Sequence, residues 1–221
     1  MSEKIFYAFL FLHIVGGSIG LLCGTLVFTL KKGTKTHATL GKLFLIGMLL
    51  AGVTSQVMAV IHPNAFLFMV GVFTLYLVGS GARAIYTISF RAHHSIDRFL
   101  QFGMLIAGII LIFLGVKRLL TGDFFGIVFV VFAGIGLLMA IQDLRSTVIP
   151  HDKKAYLSKH LQRLGGGFIA SATAFLVVNL RELPDWLPVW ALWLLPTVLI
   201  SPLLVYFSKK VARHKKLDTR L

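Results

Sequence analysis

Thr36-His37-Ala38-Thr39-Leu40-Gly41-Lys42 turns a basic loop into an apolar run that continues to Ile61. Thr36 can cap a helix at that point, which puts His37 in its first turn. An apolar helix of about 20 residues is what crosses ~30 Å of hydrocarbon, so this junction reads as the end of a membrane span. Two later stretches repeat it: Ser95-Ile96-Asp97-Arg98 after His94, and Ser158-Lys159-His160-Leu161-Gln162-Arg163.

Working outward, the same reading divides the chain into seven spans, at about 5–30, 37–61, 65–86, 99–116, 124–141, 164–180 and 186–207. The fold class expected is an all-α integral membrane protein, a seven-transmembrane-helix bundle over 1–208 with a basic tail at 209–221. Composition agrees. Of 221 residues 57% are apolar and only 14% charged, against about 25% charged in soluble domains. The first run is too long for the apolar core of a cleaved signal peptide and leads into further spans. Gly16, Gly20 and Gly24 form a smooth stripe on it, where a second helix or a flat ligand can lie close. Cys23, the single cysteine, sits in that run and reads as a small packing residue. Gln142 to Arg163 reads as a loop with a short surface helix, since Pro150 blocks a helix through its middle. Trp186, Trp190 and Trp193 suit an interfacial aromatic belt, and Pro196 and Pro202 are expected to kink the last helix.

A net charge of +14 would suggest nucleic acid in a soluble protein. In a membrane chain it reads instead as lysine and arginine retained in the cytoplasm. Sorting the segment ends puts seventeen of them on one side and four on the other, with Arg83 inside a span. The positive-inside rule then places the N-terminus outside and the C-terminus in the cytoplasm.

On the basic side, His37, Asp97 and His160 occupy first turns of the second, fourth and sixth helices, and His94 precedes the fourth. Two functional readings follow. In one, His37, His94, Asp97 and His160 converge as ligands of a zinc or iron ion, with an open position for chemistry. In the other, Arg83, Arg163, Lys42 and the helix N-termini bind an anion, a lipid headgroup or a haem propionate. A third alternative is that these residues merely follow the polar interface. Arg83 within a span needs a partner: Asp97, Asp143, a carbonyl or a ligand. His13, beside the glycine stripe, could be an axial ligand of haem b with His62, or could bond across helices to Gln56 or Asn179. No P-loop, nucleophile elbow or C-x-x-C occurs, and no lysine lies mid-span in the seventh helix for a retinal Schiff base.

At His13-x-x-Gly16-Gly17, Thr36-His37-x-x-x-Gly41-Lys42, Gly79-Ser80-Gly81-Ala82-Arg83 and His160-x-x-Arg163 with Ala172-Thr173-Ala174-Phe175, the chain resembles a known family. It is similar, over essentially its whole length, to the bacterial predicted membrane proteins catalogued as domain of unknown function twenty-three-oh-six. The resemblance implies a multi-pass protein of the bacterial inner membrane, with His13, His37, Arg83, Asp97 and His160 as a functional set. It brings no activity. One departure is Ala38 where arginine is expected after His37, a charge that Lys42 can replace. The resulting expectation is a cytoplasm-facing His/Asp/Arg site that binds a metal or haem, for redox or metal-assisted hydrolytic chemistry on a membrane substrate. The alternative is a non-enzymatic carrier or accessory subunit that binds an anionic ligand or lipid headgroup.

Overall fold

The computed structural model describes residues 2–90, 95–145, 153–182 and 187–213. Among these the chain forms seven long helices: α1 (Ser2–Thr29), α2 (Lys35–Ile61), α3 (Ala65–Phe90), α4 (Ser95–Leu120), α5 (Gly126–Arg145), α6 (Lys153–Val178) and α7 (Val189–Arg213). Each is long and apolar enough to cross a membrane. His94, Trp186 and the tail beyond Arg213 lie outside the described residues.

Each helix runs past the apolar limits expected of it at one end or both, though α5 and α7 start, and α6 ends, two or three residues inside them. Two boundaries differ for local reasons. Gly33, at φ +80°, reverses the chain just before Thr34, and Thr34 rather than Thr36 caps α2, its hydroxyl accepting the His37 N–H at 3.1 Å. The polar stretch expected to be mostly loop is helical from Lys153 onward. Lys159 and Arg163 in it are turned against α5, while Lys153 stays exposed. Pro150 falls between α5 and α6, outside the described residues.

Ten residues or fewer separate consecutive helices, too few to cross back over the bundle, so consecutive helices alternate in direction. α1 packs on α2, α4 on α5 and α6 on α7, while α3 lies centrally against α2, α4 and α6. One core gathers Tyr76, Leu77, Met104, Leu111 and Phe129; a smaller one holds Cys23, Phe44, Met48 and Val78. Trp193 is buried in the first of these, edge-on to Phe66 and Phe125, instead of joining an interfacial belt. α7 continues through Pro196 and Pro202. The outside is covered with large apolar side chains, among them Phe11, Phe113 and Leu120. Such a surface is suited to hydrocarbon and would aggregate in water.

The alternation brings the starts of α2, α4 and α6 to the same end as the finishes of α1, α3, α5 and α7. This is the lysine- and arginine-rich end, called here the basic end. At the opposite end α4 turns into α5 through Gly122, at φ +80°. There Asp123 accepts the Phe125 N–H at 2.9 Å and pairs with Arg118. That amide, and secondarily the Arg118 guanidinium, hold the Asp123 carboxyl below its ordinary value. A carboxyl depressed on folding adds stability above its unfolded pKa, about 3.9, and loses it as pH falls through the folded value. The melting-temperature difference between the protein and Asp123→Asn should therefore be constant from neutral pH to about pH 5 and shrink below about pH 4. Asp123 is exposed, so the difference is small.

Candidate functional site at the basic end

The N-terminal half of α6 is the hub of the polar residues at the basic end. Lys159 and Arg163, four apart, lie on one face of the helix, and both reach Asp143 near the end of α5. Arg163 donates from Nη2 to Asp143 Oδ1 at 3.0 Å and to the Met139 carbonyl at 3.1 Å. Lys159 Nζ approaches the same Oδ1 at 3.0 Å. The other carboxylate oxygen accepts the Tyr76 hydroxyl at 2.7 Å, and the Arg163 guanidinium lies over the Tyr76 ring. Arg163 and Asp143 are almost fully buried, at 4% and 6% side-chain exposure, whereas Lys159 is partly open at 29%. Two cations thus converge on one carboxylate. Nε and Nη1 of Arg163 are buried with no hydrogen-bond partner.

A second cluster joins α3 and α4. Arg83 grips Asp97 through two parallel bonds, Nε to Oδ1 and Nη2 to Oδ2, each 2.9 Å. Its guanidinium also stacks on Tyr86, 4.8 Å from the ring centre. This forked geometry is the strong form of a carboxylate pair. Asp97, in the first turn of α4, also faces that helix's partial positive charge.

The two clusters are bridged by His160, whose Nδ1 lies 3.0 Å from the Gly81 carbonyl on α3. Gly81 makes this contact possible: a Cβ there would sit 2.9 Å from Arg163 Cβ and 2.8 Å from Leu164. His37 is within electrostatic reach of His160, and its Nδ1 is buried without a hydrogen-bond partner.

Comparison of the chain with known families, curated proteins and solved structures finds no match.

Of the expected ligands, His160 is bonded to the Gly81 carbonyl with His37 only within electrostatic reach, Asp97 is committed to Arg83, and His94 is outside the described residues. Among the described residues there is no group of three or more His, Cys, Asp or Glu placed to hold a metal ion. The four-ligand zinc or iron site is thus not assembled from His37, Asp97 and His160. Lys42 is exposed on α2 and joins neither cluster.

His13 and His62 are not brought face to face. His13 Nδ1 lies 2.9 Å from the Ala51 carbonyl and 3.4 Å from Thr54 Oγ1, so its cross-helix partners are these two and not Gln56 or Asn179. His62 is eight residues beyond Thr54, about 12 Å along the helix axis, paired with Glu3 and edge-on to Phe6. The glycine stripe is already covered: a Cβ on Gly16, Gly20 or Gly24 would strike Gly47, Met48 or Phe168. It seats a helix and leaves no room for a porphyrin.

Sequence reading passed over Tyr76 and Lys159 and treated Asp143 only as a possible partner of Arg83. A signal existed. Asp143 is the single acidic residue close after the fifth span, and Lys159 precedes Arg163 by one helical turn.

Proposed function

We propose that this chain is a non-enzymatic carrier or accessory subunit of a bacterial inner membrane, which binds an anionic group at its basic end. The positive-inside rule supports placing that end in the cytoplasm. The observation that carries the reading is Arg163: a buried guanidinium sharing one carboxylate with Lys159, with two of its nitrogens, Nε and Nη1, unpartnered. A buried guanidinium that shares its carboxylate with a lysine and keeps spare donors gains from a phosphate or carboxylate. Lys159 is the partly open member through which an anion reaches Arg163.

The test is thermal melting of detergent-purified protein with inorganic phosphate, or in bicelles containing dioleoyl phosphatidate, with phosphatidylcholine as control. Melting should rise with one anionic additive in the intact chain and not in Lys159→Gln or Arg163→Gln. A response to inorganic phosphate indicates a soluble anion; a response confined to phosphatidate indicates a headgroup. No anion-dependent rise, or the same rise in both variants, would end the reading.

A further inference from the structure

A cavity of about 210 Å³ lies beside the Arg163 cluster, lined by residues of α3, α5, α6 and α7. Met139 links the two, since it lines the cavity while its carbonyl accepts from Arg163. The walls are mainly apolar and partly aromatic, with Phe73 and Phe132 edge-to-face at 5.4 Å; Gln162 also lines them, its Nε2 donating to Ser158 and Ser208. α5 and α7 meet chiefly where Trp193 packs on Phe132, and the cavity is partly open. Its scale is that of a single ring, as an apolar cavity of about 150 Å³ already takes benzene.

The polar atoms on its wall distinguish a ring from an acyl chain. Several helical hydroxyls of the bundle fold back onto their own backbone, as Thr54 does to Leu50, Thr74 to Val70 and Ser171 to Phe168, while that of buried Thr173 has no partner. Thr197 and Ser201 line the cavity from α7, and neither hydroxyl has a hydrogen-bond partner among the described residues. They stand one helical turn apart, about 6 Å along the axis. That spacing approximates the separation of oxygens on opposite corners of a six-membered ring. A hydrocarbon chain offers neither hydroxyl an acceptor, whereas two ring oxygens would take a hydrogen bond from each.

We infer that this cavity binds a lipid-soluble six-membered ring bearing two opposed oxygens, a benzoquinone-type molecule, with the Thr197 and Ser201 hydroxyls donating to those oxygens and Phe73 and Phe132 against the ring. The site is independent of anion binding at Arg163. Its occupant is uncharged and enters from the bilayer.

Trp193 provides the readout, because it packs on the cavity-lining Phe132 at 6.4 Å between ring centres and a quinone nearby quenches indole emission. Detergent-purified protein is titrated with decylubiquinone, with oleate as the competing chain. Saturable quenching is expected. It should weaken roughly tenfold or more in the near-isosteric Thr197→Val/Ser201→Ala protein, which loses two hydrogen bonds. It should vanish in Ala170→Phe, which fills the cavity, with melting temperatures of both variants confirming their folding. Non-saturating quenching, equal quenching in the intact protein and the hydroxyl variant, or displacement of decylubiquinone by equimolar oleate would each overturn the assignment.

Discussion

Asp143→Asn should cost this protein about 3–5 kcal/mol, the effect of removing one partner from a buried ion cluster. The substitution barely changes shape, so the loss is electrostatic. Arg163, at 4% exposure, keeps its charge but loses its counter-ion, and Lys159 beside it adds repulsion. Tyr76 keeps an acceptor in the asparagine carbonyl, which isolates the charge effect from the hydrogen bond. Asp143→Leu combined with Arg163→Met should recover much of the loss, because replacing a whole buried pair with apolar side chains is often neutral. The two proteins also separate structure from binding. Asp143→Asn has an unopposed guanidinium and should be stabilised by anions more than the intact chain is, whereas the double variant should not respond to them. Melting temperature and yield in detergent measure both. An Asp143→Asn protein as stable as the parent would mean that Arg163 is neutralised by something other than Asp143.

The seven helices were readable in the sequence because a bilayer demands about 20 apolar residues per crossing, and that demand is written in one dimension. The common end of the histidines and arginines was readable for the same reason, since alternation of spans carries it. Which of those residues touch was not. Contact depends on how each helix is rotated about its axis, and in membranes that rotation is set by small residues at helix contacts. Arg83 with Asp97 was among the pairings expected, because both lie near one helix boundary and few acids were available. Tyr76 and the pairing of Asp143 with Arg163 escaped notice because an acid at a helix end and a tyrosine in an apolar run both look interfacial. Only the close approach of α6 to α3 at Gly81 turns Arg163 inward to meet them.

The α1–α2 contact gives the other large expected effect. Gly16 and Gly47 face one another with no side chain between: a Cβ on Gly16 would be 2.7 Å from the Gly47 carbonyl oxygen, and one on Gly47 would be 2.6 Å from that of Gly16. Both obstacles are backbone, so no rotamer change relieves the clash, and the helices must part. Parting them also stretches the His13–Ala51 contact, which lies one turn away. Overpacking costs about 1–3 kcal/mol and the lost hydrogen bond about 0.5–1.5 kcal/mol more. α1 has little else to hold it. Only 11% of its apolar window is buried inside the protein, and beyond α2 it meets chiefly α6. Gly47→Val should therefore lower the melting temperature and expose α1 to protease. Gly17→Ala is the matched control: nothing lies within 4 Å of its added carbon, and alanine in a helix is favoured over glycine by up to about 1 kcal/mol, so that variant should be as stable as the parent or more so. If Gly47→Val and Gly17→Ala melted alike, α1 would be held by the surrounding lipid and not by its seam with α2, and His13 would have no fixed acceptor.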